Sequence, residues 1–172
     1  SKNLIIWQAL QVHVVRRHGS RIRGTPEVVR RPAGRRHAAA AIWLGERLGR
    51  SGQPHPGGPL VWLHGVSVGE TTSLLPLVTA LRARRPDLTI LVTSGTVTAA
   101  ALLAQRLPDG VIHQFAPVDG PGAVGRFLDH WKPGLAVFVE SELWPNLILQ
   151  AKARGVRLAL LSARMTRKSA DG

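Results

Sequence analysis

The stretch LVWLHGVSVGETTSLLPLVTALRARRP, Leu60 to Pro86, decides how the rest of the chain is read. Its opening, Leu60 to Val66, is a short apolar run of the kind that forms a fully buried strand. After the polar turn at Ser67, Gly69 and Glu70, the pattern changes to helical spacing. Leu74, Leu77, Val78 and Leu81 stand at i, i+3, i+4 and i+7, while Arg82, Arg84 and Arg85 crowd the last turn, where cations suit the helix dipole. Pro76 removes one backbone donor, so the pattern predicts a late helix start or a kink.

This βα unit recurs downstream. Apolar runs at Leu60 to Val66, Leu88 to Thr93, Val111 to Phe115, Leu135 to Glu140 and Val156 to Leu161 alternate with amphipathic segments. That is the sign of βαβ units on a parallel sheet, so the expected fold class is α/β, a Rossmann-like doubly wound sheet.

Upstream, SGQPHPGGP at Ser51 to Pro59 reads as a linker, and RRHAAAAIWLGERLG at Arg35 to Gly49 as a helix stopped by Gly49. GTPEVVRRPAG, Gly24 to Gly34, reads as a loop. The run Asn3 to Val15 is apolar but shorter than the roughly 20 residues a spanning helix needs. With Arg16, Arg17, Arg21 and Arg23 behind it, it fits an interfacial helix facing anionic headgroups. It fits equally an amphipathic helix packed on its own domain or on another subunit. A signal peptide would carry its positive charge before the apolar run. The expected division is therefore a helical, basic segment and linker over residues 1–59 and a Rossmann-like domain over 60–172.

The 172 residues are 44% hydrophobic, enough for one packed domain, and contain no cysteine, which removes disulfides and thiolate metal sites. A formal net charge of +13 raises the possibility of nucleic acid as partner, but the distribution argues otherwise. Residues 1–59 hold eleven Lys and Arg against Glu27 and Glu46, whereas the remainder holds twelve against eight acidic residues. The chain also lacks clustered aromatics for base stacking, with three Phe and no Tyr, and no nucleic-acid partner is expected.

In an open parallel sheet, ligands bind beyond the carboxyl ends of the strands. Those ends carry Ser67, Gly69 and Glu70; Ser94, Gly95 and Thr96; Pro117 and Asp119; Glu140, Ser141 and Glu142; and Ser162 and Arg164. Three of the ten acidic residues, Glu70, Glu140 and Glu142, thus fall on one edge of a basic protein. Each also has an ordinary structural reading. Glu70 would complement a helix dipole, Glu140 and Glu142 would cap the next helix, His64 would be a satisfied core histidine, and Trp144 with Pro145 would pack a helix start. VSVGET matches neither G-x-x-x-x-G-K-[ST] nor G-x-G-x-x-G, yet Ser67 to Thr71 would still offer helix N-terminal amides to an anion or polar ligand. The carboxylates are too few and no histidine pair has ligand spacing, so no metal is expected; no cofactor is expected either.

Four stretches, ERLG at Glu46 to Gly49, LHGVSVGE at Leu63 to Glu70, VESELWPN at Val139 to Asn146 and LLSARMTRKSADG at Leu160 to Gly172, resemble the 3-deoxy-D-manno-octulosonic acid (Kdo) transferases. The resemblance covers the chain from about Arg36 onward. It implies the N-terminal half of a two-Rossmann-domain (GT-B) glycosyltransferase that moves Kdo from CMP-Kdo to the lipid A precursor in Gram-negative lipopolysaccharide synthesis. The donor-binding C-terminal domain is absent from this sequence. Within that picture Glu70 is the general base of an inverting, metal-independent transfer and Glu140 supports it. Ser67, Gly69, Ser94, Thr96, Glu142, Arg47 and Arg164 are the candidate acceptor-side residues, with Arg35 and Arg36 as further phosphate contacts. The implied partners are the lipid A precursor, the protein's own donor domain and an anionic membrane surface, with the protein held at the cytoplasmic face of the inner membrane. Two stretches depart from the family pattern: TSGTVTA stands where many relatives have Thr-Pro, and APVD where Leu-Pro-Tyr-Asp is common. A non-catalytic or divergent membrane-surface protein on the same fold is the alternative.

Overall fold

The computed structural model describes residues 42–139 and 144–161. Ala41–Gly172 forms one compact unit; Ser1–Ala40 belongs to another. The expected interfacial helix, its arginine collar and the Gly24 to Gly34 loop lie outside the described residues.

Five strands form one sheet: β1 (Leu60–Gly65), β2 (Thr89–Ser94), β3 (Ile112–Phe115), β4 (Leu135–Val139) and β5 (Arg157–Leu161). The order is β3-β2-β1-β4-β5 and every pairing is parallel. Four helices connect them: α1 (Val68–Arg84), α2 (Val97–Arg106), α3 (Pro121–Trp131) and α4 (Pro145–Ala153). The α/β doubly wound class read from the sequence is the observed one. Strand bounds differ from expectation by about a residue, because pairing follows register while the apolar run follows burial.

β1 is the axis of the fold, and all six of its residues are buried. Alternation along it divides the core in two. Val61 and Leu63 meet Leu74 and Val78 of α1, Leu103 of α2 and Val137 and Val139 of β4. Leu60 and Trp62 meet Val124, Phe127, Leu128 and Trp131 of α3 and Leu147 and Ala151 of α4. Trp62 is the aromatic centre of that second layer, with ring centres 4.8 Å from Phe127 and 5.3 Å from Phe138.

The helix after β1 starts at Val68, so the late start expected from Pro76 does not occur. Pro76 lies on the exposed side of α1, where the carbonyl that loses its i+4 donor can be hydrated. Thr71, Leu74 and Val78 face the core, with Leu77 and Leu81 packed against it.

Residues 42–47 are helical, and Gly49, with φ of +80°, ends the segment as expected of a glycine stop. A Cβ at Gly49 would fall 1.9 Å from the Ala123 carbonyl oxygen, so only glycine lets this turn lie on the start of α3.

Candidate active site

The sheet order reverses at β1. The chain runs outward through β2 and β3, then returns to build β4 and β5 on the other side. Its switch-point edge, beyond Gly65 and Val139, is where such folds bind ligands.

Gly65 is fixed by packing: a Cβ there would sit 3.0 Å from the Thr71 nitrogen and 3.1 Å from the Glu70 Cβ. Gly95 is tighter, because its Cβ would meet Val66 Cγ1 at 2.6 Å. The two glycines let the turns after β1 and β2 close on each other, linked by Gly95 N–H donating to the Val66 carbonyl at 3.1 Å. Gly69 differs. A Cβ there would meet nothing nearer than Ser67 Oγ at 3.9 Å, so the fold itself does not require glycine.

Ser67 is the N-cap of α1, its Oγ accepting from Glu70 N–H at 3.3 Å. The Glu70 carboxylate turns back over the cap, taking the Val66 N–H at 2.5 Å on Oε2 and the Ser67 hydroxyl at 3.0 Å on Oε1. This is a capping-box arrangement, shifted so that the backbone donor precedes the N-cap residue. It gives the structural reading of Glu70 a definite content. A carboxylate offers about four acceptor positions, of which these bonds use two. Glu70 is half-buried at the edge, and Val68 and Gly69 beside it are exposed.

The other expected site residues are distributed unevenly. Ser94 is buried, its hydroxyl 2.9 Å from His113 Nε2 and directed into the protein. Thr96 caps α2, accepting from Ala99 N–H at 3.2 Å. Arg47 lies at the same edge, donating from Nη1 to the Ala116 carbonyl and from Nη2 to the Gly95 carbonyl, each at 3.1 Å. Burial lowers its guanidinium below the ordinary arginine value. Glu140, Ser141, Glu142, Ser162, Arg164, Arg35 and Arg36 lie outside the described residues.

Two arrangements went unseen in the sequence. ERLG is a strap. Glu46 accepts from Phe115 N–H at 2.8 Å, Arg47 spans β2 and β3, the Leu48 carbonyl accepts from Arg126 Nε at 2.9 Å, and Gly49 rests on Ala123. Burial holds the Glu46 carboxyl above the usual carboxylate range, opposed by the Phe115 N–H. Its signal was the order of an acid, a base and a glycine at a helix end, which alone does not say what they bind.

The second arrangement joins APVD to LWPN. Asp119 accepts from Leu147 N–H at 2.9 Å and from Asn146 N–H at 3.3 Å, while Asn146 Nδ2 donates to the Asp119 carbonyl at 2.8 Å. Trp144 occupies the N-cap position of α4 but makes no side-chain cap bond, so Asp119 does the capping from another loop.

His64 is buried, its Nδ1 2.8 Å from Thr93 Oγ1. Burial first, then the charge of Arg47, pushes it down to about 4. Burial alone pushes His113 down to about 4. Both rings are therefore neutral at pH 7. Among the described residues no group of three or more His, Asp or Glu could hold a metal ion, and no helix is long and apolar enough to cross a membrane.

A doubly wound parallel α/β domain with a carboxylate folded over the first helix N-terminus, at the switch-point edge, is the class of protein that fold and site define. The family of 3-deoxy-D-manno-octulosonic-acid transferases (kdotransferases) matches residues 43–172. The chain is 47% identical over 124 residues to a probable 3-deoxy-D-manno-octulosonic acid transferase, mitochondrial, of Arabidopsis thaliana, covering 72% of this chain and 28% of that protein. It is 43% identical over 110 residues to the 3-deoxy-D-manno-octulosonic acid transferase of Rickettsia felis, covering 64% of this chain and 24% of the relative. With that of Bordetella pertussis it shares 42% over 130 residues, 72% of this chain and 30% of the relative. The chain belongs to the Kdo transferase family, and it spans 24% to 30% of the length of these relatives.

Proposed function

We propose that this chain is the acceptor-side portion of a glycosyltransferase that moves Kdo from CMP-Kdo to the lipid A precursor, at the cytoplasmic face of the inner membrane. The observation that carries the reading is the half-buried Glu70 carboxylate at the switch-point edge, beside a glycine that the fold does not require.

In the proposed step Glu70 takes the proton of an acceptor hydroxyl as that oxygen bonds to the anomeric carbon of Kdo. The bond from that carbon to the CMP phosphate oxygen breaks, CMP leaves with the electron pair, and the anomeric configuration inverts. Glu70 afterwards releases its proton to solvent. The Val66 N–H and Ser67 hydroxyl fix the carboxylate's orientation, which a general base needs. Glu140 supports the site, and the donor sits in a C-terminal domain beyond this sequence. Ser67, Gly69, Thr96, Glu142, Arg47 and Arg164 are the acceptor-side residues of this reading. The buried Ser94 would act only through its neighbours. The reaction uses no metal in this scheme, and the basic N-terminal segment supplies attraction to an anionic membrane.

The capping geometry also supports a purely structural Glu70, and one pair of variants separates the roles. In the longer protein, Glu70→Gln keeps an acceptor for Val66 N–H but cannot take a proton, whereas Glu70→Ala loses both. A general base predicts that Gln lowers kcat by about 100-fold or more while unfolding is nearly unchanged. Near-normal transfer by Glu70→Gln would assign Glu70 to capping alone.

A further inference from the structure

β1 and β2 pair as far as Gly65 and Ser94, and the next residue of each strand, Val66 and Gly95, leaves the ladder beside the other. Gly95 N–H donates to the Val66 carbonyl at 3.1 Å, and Val66 N–H in turn donates to Glu70 Oε2. The peptide groups on either side of Val66 thus connect the exit of β2 to the Glu70 carboxylate. Gly95 has no side chain to hold it, and it lies so close to Val66 that a Cβ would fall 2.6 Å from Val66 Cγ1. Its carbonyl is taken by Arg47 Nη2 at 3.1 Å, while Nη1 of the same guanidinium takes the Ala116 carbonyl just past β3, also at 3.1 Å. One planar group ties the exits of β2 and β3 together, and direct hydrogen bonds lead from it through Gly95 and Val66 to Glu70.

We infer that Arg47 is a positioning residue for Glu70: by holding the Gly95 carbonyl, its guanidinium fixes the Val66 peptide that orients the carboxylate, without touching substrate. The inference rests on the proposed transfer reaction and gives Arg47 an acceptor-side role other than contact with a phosphate. Both terminal nitrogens of Arg47 donate to backbone, and its guanidinium carbon lies 5.9 Å from the Trp43 ring centre, so the fold holds the group in place with no anion. The segment around it is also anchored by bonds that the guanidinium does not make. The Arg47 carbonyl accepts from Val118 N–H at 2.8 Å, and Glu46 accepts from Phe115 N–H at 2.8 Å. What the guanidinium adds falls on the two exit turns. At Glu70, the Ser67 hydroxyl holds Oε1 from within the same helix cap, and Oε2 depends on Val66. A carboxylate left with the Ser67 bond alone can pivot, and a misplacement of about 1 Å costs a reacting group up to about 100-fold in rate, so loosening Val66 should cost about tenfold.

The test uses the longer protein and compares Arg47→Lys, Glu70→Gln and the double variant, with kcat and acceptor KM corrected to the folded fraction. Lysine keeps the charge but cannot span two carbonyls. Arg47→Lys should lower kcat about tenfold, leave the acceptor KM within about twofold, and cost nothing further once residue 70 is changed, because effects that pass through one carboxylate do not add. Arg47→Gln, which keeps a neutral donor, should show the same non-additivity. An Arg47 that contacts the acceptor raises KM instead, and a purely structural Arg47 lowers kcat by the same factor with or without Glu70; either result overturns the inference. Hydrogen exchange at single amides reads the link without activity. Arg47→Lys should speed exchange at Val66 and Gly95 by about tenfold relative to Val92 within β2. Unchanged exchange at Val66 overturns the inference whatever the kinetics. Faster exchange combined with normal transfer by Glu70→Gln also removes the positioning role, and places the failure in Glu70 as the base rather than in its link to Arg47.

Discussion

Removing the Asp119 carboxylate tests the link between two loops far apart in sequence. α4 begins at Pro145 behind Trp144, whose indole cannot accept a hydrogen bond, so the first free N–H groups of this helix depend on Asp119. Asp119→Ala strands the Leu147 N–H, bonded at 2.9 Å on a fully buried residue, and the Asn146 N–H, bonded at 3.3 Å. Losing an N-cap acceptor costs about 1–2 kcal/mol, and losing a negative charge at a helix N-terminus adds about 0.3–1 kcal/mol. The bond from Asn146 Nδ2 to the Asp119 carbonyl survives the substitution and keeps the total near the lower half, about 2 kcal/mol. Asp119→Asn keeps one acceptor oxygen, enough for the shorter bond from Leu147 N–H, but loses the charge and the acceptor for the longer Asn146 N–H bond, so about 1 kcal/mol is expected. With a urea slope of about 2 kcal/mol per molar, the unfolding midpoint should fall by about 1 M for alanine and about 0.5 M for asparagine, with the slope itself unchanged. An unaltered midpoint for Asp119→Ala, or equal losses for the two variants, would refute the capping argument.

Other consequences follow from the same geometry. Gly69→Ala meets no neighbour and replaces a helical glycine, so urea unfolding should show about 0.5–1 kcal/mol more stability. Transfer by the longer protein should nevertheless fall if the acceptor approaches that backbone, and unchanged kinetics would remove Gly69 from the site. Arg47→Lys should destabilise by about 1–2 kcal/mol, because one ammonium does not reproduce a fork spanning the Gly95 and Ala116 carbonyls; a lysine variant as stable as the parent would show that the strap does not depend on it. Because His64 and His113 are held near 4 when folded but titrate near 6.5 when unfolded, the unfolded chain binds more protons between those values. Stability present above pH 6.5 should therefore drain away as pH falls toward 4. Glu46, raised in the folded state, acts in the opposite sense just above its ordinary value. Urea midpoints of the parent and of His113→Gln isolate the histidine share: the parent should lose more stability on acidification, and parallel profiles would contradict the burial of His113.

The sheet was readable because strands covered on both faces need unbroken apolar runs, and the LVWL, ILV and AVFV segments have no other economical place. Helix α1 was readable from its spacing, but the late start expected from Pro76 did not occur, since a proline's effect depends on which side of the helix meets water. At the site, Ser67 and Glu70 stand in the S-x-x-E spacing of a capping box, so their hydrogen bonds were available in principle from local sequence. The Asp119 bonds to Asn146 and Leu147 were not, because the partners meet only after β4 has crossed to the far side of β1. Arg47 illustrates a further difficulty: an arginine that serves carbonyl oxygens and one that serves a phosphate look identical until the backbone is placed.

β5 has a practical consequence for anyone preparing this chain. Among the described residues it pairs only with β4, and Leu158, Leu160 and Leu161 are 38%, 57% and 44% exposed along it. Leu158 and Leu160 alternate with Leu161, so both sides of the strand are greasy while its outer backbone groups remain free to recruit another strand. Arg157 is the single charged residue in the strand, a weak gatekeeper. The chain on its own therefore carries a template for self-association at the margin of an otherwise well-packed sheet. Loss of soluble material at high protein concentration is the handling property to plan for, and it would arise from five residues rather than from any fault in the core.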